Sequence, residues 1–368
     1  MYLVNFSNQI AAGPKNIANN FIRNALQSGE KFVFIVPNLP EFLTYSETEN
    51  CKFVVVDVVP GSIKALLNVF KVNFSLMNSL VKQYEPKAIL AFGNFLFGIK
   101  SNQKKVVLLH HPYIVDDRLY GNLGGVAKIA EKIKRYLFGK TVKAVDTVVV
   151  QSSYMQKLLN EKVTIDSEII FNPISDNFKR ESIANFQAKQ ELPKVKELLY
   201  VSRFYAHKNH AFLLKLATEI KEKALPVVIN ITVDESIAEA AEFIAAIKEQ
   251  QLPINNLGEL PQADLKQYYQ DFAFAAIFPS KSETFGNPLI EAMFYDLPVI
   301  APDLDYAHSV LDQAGVIYKE DDVHDCVNQI SKLFDLETYN DTRLASHTRA
   351  QLFPDSESWF ETYMALLR

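Results

Sequence analysis

The stretch Ser280-Lys-Ser-Glu283-Thr-Phe285-Gly286-Asn287-Pro288-Leu-Ile-Glu291-Ala292 joins an apolar run, Phe272–Pro279, to a helical pattern running from Leu289 to Phe294. The run reads as a buried strand ending at a proline, and Pro288 as the first residue of the helix. A strand, a glycine-containing loop and a helix start make an anion site, because backbone N–H groups and the positive helix end converge there. Glu283 and Glu291 bracket that site. Carboxylates repel phosphate, so their expected work is to accept hydrogen bonds from hydroxyl groups attached to it. A phosphate cradle flanked by hydroxyl acceptors suits a sugar nucleotide.

Outward from this segment, apolar β-branched runs alternate with amphipathic ones. Strands are expected at Tyr2–Asn5, Phe32–Pro37, Phe53–Val58, Ala88–Phe92, Val106–His110, Thr147–Gln151 and Glu168–Phe171. The polar stretch from Asn172 to about Lys194 reads as a connection between domains. Alternation then resumes with Leu198–Ser202, a helix over Ala211–Lys223, Val227–Val233, a helix over Glu235–Gln250, Phe272–Phe278 and Pro298–Ala301. Such alternation marks parallel βαβ units. Two Rossmann-like domains follow, over residues 1–172 and 195–350, joined by 173–194, with a terminal helix within 351–368. Facing sheets would put the ligand in a cleft at the carboxyl ends of their strands.

The 368 residues suffice for two such cores. A net charge of -5 lacks the basic excess of a general nucleic-acid binder. Cys51 and Cys326 are far apart and show no metal-ligand spacing, so a reducing compartment is expected. No signal peptide is evident, and no apolar run approaches the roughly 20 residues that span a bilayer. These features predict a cytoplasmic or peripheral protein. No Gly-x-Gly-x-x-Gly follows a strand, which disfavours a dinucleotide-dependent oxidoreductase.

Glu283-x7-Glu291 within Ser-Glu-Thr-Phe-Gly-Asn-Pro-Leu-Ile-Glu-Ala resembles the signature of retaining glycosyltransferases of family four (glycosyl transferases group 1), which have the GT-B fold. The stretch Arg203-Phe-Tyr-Ala-His-Lys208-Asn209 and the loop Pro302–Val310 resemble forms found in bacterial surface-polysaccharide transferases. The resemblance implies that Arg203 and Lys208 hold the donor diphosphate, although Ser202 stands where the pattern usually has glycine. It implies that Glu283 lies beside the donor sugar and that Glu291 accepts from the ribose hydroxyls. The backbone of Phe285, Gly286 and Asn287 would meet sugar and phosphate, and Gly258 would lie near the base. It also implies that the terminal helix crosses back to the first domain. In the loop after Pro302, Asp303, Asp305 and His308 are read either as tuning donor contacts or as caps.

On the acceptor side, Ala11-Ala-Gly13-Pro resembles the family's Gly-Gly loop, with Ala12 in place of the first glycine. His110 matches a family histidine that faces the donor sugar, with His111 as second candidate on the acceptor side. Residues 128–143 carry six basic side chains (Lys128, Lys132, Lys134, Arg135, Lys140 and Lys143) against Glu131 alone, and Ile129, Ile133, Tyr136 and Leu137 form an apolar face. This helix reads either as packed core with a solvated basic side or as a contact for anionic lipid.

The expected activity is retaining, metal-independent transfer of a hexose-type sugar from a nucleoside diphosphate to a hydroxyl of a glycan or lipid-linked acceptor. Lipopolysaccharide, capsule or another glycan would be the product, with no cofactor. A non-catalytic homologue serving as a scaffold and a sugar-phosphate phosphorylase are the rival readings.

Overall fold

The computed structural model describes residues 1–10, 12–57, 68–174 and 186–368. The chain forms two compact units, Met1–Ser175 with Pro354–Arg368, and Asp176–Phe353. Much of the expected connection, residues 175–185, and the end of the expected strand Phe53–Val58 lie outside the described residues. Residues 187–189 are strapped to the second unit: Lys189 N–H donates to Asn340 Oδ1 at 2.8 Å, and Arg343 donates to the Gln187 carbonyl at 2.8 Å.

The first unit carries seven strands: β1 Tyr2–Asn5, β2 Phe32–Pro37, β3 Cys51–Val56, β4 Ala88–Ala91, β5 Lys104–Leu109, β6 Thr147–Val150 and β7 Ser167–Ile169. They pair in the order β3-β2-β1-β4-β5-β6-β7, parallel throughout. β1, β2, β4 and β6 are buried along their whole length, which accounts for their nearly continuous apolar sequence. Order reverses between β1 and β4, so a crevice opens past their carboxyl ends.

The second unit adds β8 Lys196–Tyr200, β9 Val227–Ile231, β10 Ile254–Asn256, β11 Ala275–Ile277, β12 Val299–Pro302 and β13 Gly315–Tyr318, ordered β10-β9-β8-β11-β12-β13. All neighbours are parallel, and the reversal falls between β8 and β11. Two edge strands, β10 and β13, were not among the expected elements. At three and four residues they are too short for a periodic signal. The expected strand Phe272–Phe278 shortens to Ala275–Ile277, because Phe272 ends the helix Gln262–Asp271 and is exposed.

The helix Ser356–Leu367 packs on the first unit. Its apolar stripe, Trp359, Phe360, Tyr363, Met364 and Leu367, is buried in one core with Phe6, Phe21, Phe32 and Phe92. Asp355 caps its start by accepting from Ser358 N–H, and Asn24 of the helix Ala12–Gln27 donates to Ser356 Oγ at 2.7 Å. Phe21 meets Phe360 edge-on at 4.9 Å and Trp359 at 6.0 Å. Phe360→Ala should therefore cost about 3–5 kcal/mol. Trp359 is the single tryptophan, so its fluorescence during urea unfolding measures this directly. An unchanged midpoint in the variant would show that the terminal helix does not support the first core.

Candidate functional site

The second unit gathers the expected donor residues where β8 and β11 part. Arg203–Lys208 follows β8 and Ser280–Gly286 follows β11. Backbone and side chains stitch the two loops together. Lys281 N–H donates to the His207 carbonyl at 2.8 Å, and Asn209 to the Pro279 carbonyl at 3.2 Å. Tyr200, buried at the end of β8, donates to the Lys208 carbonyl at 2.7 Å, and Tyr306 supports the other loop through the Ser280 carbonyl at 2.5 Å. Tyr200 had no motif to mark it and reads as core in its apolar strand; Tyr306 lies in the loop Pro302–Val310, whose named candidates were Asp303, Asp305 and His308.

Lys208 Nζ lies 2.6 Å from Glu283 Oε1, with 15% and 12% of the two side chains exposed. The lysine expected to hold diphosphate and the glutamate expected beside the sugar are thus partners. Arg203 is half-exposed and only loosely opposed by Glu259 at 3.6 Å. That contact also brings the Gly258 turn, at φ +71°, beside the loop of Arg203.

Gly286 caps the helix Asn287–Phe294 with φ +84°, so Pro288 is its second residue rather than its first. A Cβ there would come 3.0 Å from Leu289 Cδ1 in a backbone region that disfavours side chains, so glycine is required. No side-chain oxygen caps this helix start. The Phe285 side chain is buried against Phe353.

Glu291 keeps some accessible surface as a residue, but its carboxyl is enclosed. Burial pushes its pKa up to about 7, against a smaller opposing effect of the Tyr269 hydroxyl, which donates at 3.4 Å. This is a sparsely satisfied carboxyl. Asp303 and His308 pair with each other at 2.6 Å on the exposed side of the helix Asp305–Leu311.

In the first unit, Gly13 lies in the first turn of the helix Ala12–Gln27, with open space where a Cβ would stand. Ala11, the start of the expected loop, lies outside the described residues. His110 and His111 follow β5, and both backbone N–H groups donate to Asn94 Oδ1, at 2.8 and 3.1 Å. Asn94 itself sits at φ +66°. Burial, with help from His111, lowers the His110 pKa to about 4. His111 Nε2 lies 2.9 Å from Glu131 Oε2, whose other oxygen takes Lys134 Nζ at 2.6 Å. Asn94 could have been suspected from its Gly-Asn turn signal, and Glu131 from being the one acid in a basic helix.

That helix, Gly125–Val142, corrects one expectation. Of the proposed apolar face only Leu137 is buried; Ile129, Ile133 and Tyr136 are 63%, 38% and 63% exposed, with Val126 at 83%. The inner side is Glu131, Leu137, Phe138 and Thr141. Phe138 and Thr141, one and four residues beyond the expected apolar face, set the buried side, and Glu131 joins them because it is neutralised there.

Residues 182–351 match the model of the family described as Glycosyl transferases group 1. The second unit is a glycosyl transferases group 1 domain. A curated relative, the O-antigen chain mannosyltransferase RfbU of Salmonella typhimurium (strain LT2), is 28% identical over 192 residues. The match covers 51% of each, so it spans about half the length of that relative. Among solved structures, the sucrose-phosphate synthase of Thermosynechococcus elongatus aligns with a TM-score of 0.74 at 15% identity, over 99% of this chain and 97% of its own. Alr3699/HepE of Anabaena, solved with UDP and glucose, aligns with 0.72 at 16% identity, over 100% and 98%. The fold is GT-B. Arg203, Lys208, Gly258, Glu283, Gly286 and Glu291 all lie within the matched range.

Behind the Arg203–Lys208 loop, His210 is buried between Phe204, Tyr200 and Phe243, with ring centroids 4.5, 5.2 and 5.7 Å away. Among the described residues neither of its ring nitrogens has a hydrogen-bond partner. Burial lowers its pKa to about 4. The unfolded chain takes up this proton near the ordinary value of 6.5, and the folded chain resists until about 4. Stability therefore falls as pH drops through that window, at up to roughly 1.4 kcal/mol per pH unit from this group. His110 acts with the same sign, and the raised Glu291 with the opposite one. His210→Phe should keep the packing and flatten the loss of melting temperature between pH 6.5 and 4.5. Parallel pH profiles for the variant and the parent would refute the buried neutral histidine.

Proposed function

We propose that this chain is a retaining glycosyltransferase that moves a hexose-type sugar from a nucleoside diphosphate to a hydroxyl acceptor. One observation carries the reading: Lys208 and Glu283 pair beside the Gly286 helix start, at the switch point of the group 1 domain, where the loop bearing Arg203 also leaves β8. Breaking a sugar–phosphate bond leaves negative charge on the departing diphosphate. Fixed cations and a helix end stabilise that charge as it develops in the transition state. These groups supply the counter-charge from the protein itself, so the proposed reaction needs neither metal nor cofactor. Glu291, half-satisfied by Tyr269, is suited to accept from ribose hydroxyls. In unit 1, His110 and His111, with Gly13, are assigned to the sugar and acceptor side.

The Lys208–Glu283 pair gives this reading a sign. Donor diphosphate must take over Lys208, and Glu283 must turn to the sugar hydroxyls. Glu283→Gln should therefore bind nucleoside diphosphate more tightly than the parent yet transfer sugar at least tenfold more slowly. Lys208→Ala should lose both, transfer by on the order of 100-fold. A thermal-shift panel of nucleoside diphosphates and their sugars, run with EDTA, reads the binding side, since ligands of the native state raise the melting temperature. Binding without transfer or donor hydrolysis would favour a scaffold role instead. Inorganic phosphate acting as acceptor would mark a phosphorylase.

The relative's printed activity, O-antigen mannosyl transfer, supports surface glycans such as lipopolysaccharide or capsule as the product class. We place the reaction at the cytoplasmic membrane face, on a lipid-linked acceptor. No helix of the described residues is long and apolar enough to cross a membrane. The helix Gly125–Val142 instead exposes Val126, Ile129, Ile133 and Tyr136, with Lys128, Lys132 and Lys140 also exposed and Glu131 turned inward. An outward apolar stripe edged with cations suits anionic headgroups. The parent should sediment with phosphatidylglycerol-containing vesicles and release at high salt, and Ile129→Asp should remain in solution. Equal sedimentation of both proteins would exclude this face.

A further inference from the structure

Glu131 has no role in the donor chemistry, yet it is buried on a helix whose other charges are cations. Burial opposes its ionisation, but the hydrogen bond and charge of His111, with Lys134, outweigh that and lower its pKa. The ionised carboxylate can only accept, so His111 Nε2, at 2.9 Å, must be the donor. Lys134 also only donates. Its 3.5 Å separation from the same nitrogen reflects two donors meeting on one carboxylate, where Lys134 reaches Oε1 at 2.6 Å.

Nε2 therefore carries a proton, and in the neutral ring it is the nitrogen that does so. Nδ1 takes no hydrogen bond among the described residues, and the side chain is 28% exposed. Around it stand His110, the Tyr113 ring at 5.5 Å, and Asn94, which holds the His111 backbone. A neutral imidazole with its proton on Nε2 presents a lone pair at Nδ1, an acceptor for an O–H group.

We propose that Glu131 is a positioning residue, fixing the Nε2–H tautomer of His111 so that Nδ1 accepts a hydrogen bond from the attacking hydroxyl. The inference rests on the glycosyltransferase reading above. It adds to that reading the side chain that orients the acceptor-side histidine and the tautomer it imposes.

The test joins ring-nitrogen NMR of the full chain, labelled at histidine, with release of nucleoside diphosphate from the donor identified by thermal shift, water serving as acceptor. Parent protein should show His111 protonated at Nε2. Glu131→Ala should give a mixture of tautomers and lower kcat about tenfold, with the donor KM within about twofold. Glu131→Gln, whose side-chain carbonyl still accepts from Nε2–H, should recover most of both. A parent ring protonated at Nδ1 overturns the proposal without any variant, so it stays testable even if Glu131→Ala does not fold. Active parent with unchanged kcat in Glu131→Ala removes the positioning role alone. A parent with the Nε2 tautomer but no turnover of any donor removes the reaction itself, and the positioning role falls with it.

Discussion

Parallel pairing of β8 with β11 is the constraint on which the second unit depends. Because β9 and β12 lie on opposite sides of this pair, the chain leaves the two strands in different directions, and the gap above them has no crossover helix. Two loops must close that gap. They do so through the bond from Lys281 N–H to the His207 carbonyl and through two buried tyrosines that grip loop carbonyls. Each such bond is worth only about 1 kcal/mol net. Together they hold Lys208 and Glu283 close enough for their charges to meet. The first unit repeats the device with other residues: Asn94, after β4, grips the backbone of both histidines after β5.

Most of this was legible where a pattern of several residues carried it. The long buried strands of the first unit, the helix over residues 211–223 and the terminal helix with its apolar stripe all declare themselves by period. Arg203, Lys208, Glu283, Gly286 and Glu291 were singled out because the stretches around them resemble a family signature, not because their spacing alone is distinctive. Single-residue supports were not legible. Tyr200 is an apolar-strand tyrosine until its hydroxyl is seen on the Lys208 carbonyl, and His210 is an ordinary helix-start histidine until three aromatic rings are seen around it.

The helix Gly125–Val142 was left open between packed core and lipid contact for a different reason. Hydrophobic period locates a stripe but not the side it faces. Here the stripe faces out, and the inward side includes a carboxylate. A lone Glu among cations is compatible with either side until its partners are known. Burying it is tolerable only because His111 and Lys134 both donate to it, since an unpaired ion there would cost several kcal/mol.

The ion pair of Lys208 and Glu283 poses the opposite problem. A pair this well shielded is self-sufficient, and a site built for binding gains nothing by satisfying itself. Yet an unpaired charge at that depth would be costly. Pairing holds the Lys208 side chain in place against Glu283. On the proposed reaction the exchange would be nearly balanced: a diphosphate would replace one anion by another at Lys208, and the freed carboxylate would need hydroxyl donors, which a sugar supplies. A nucleoside diphosphate alone leaves Glu283 without them. On the proposed reaction the same pair would disfavour product relative to donor, which would let a site with strong phosphate contacts release what it has made.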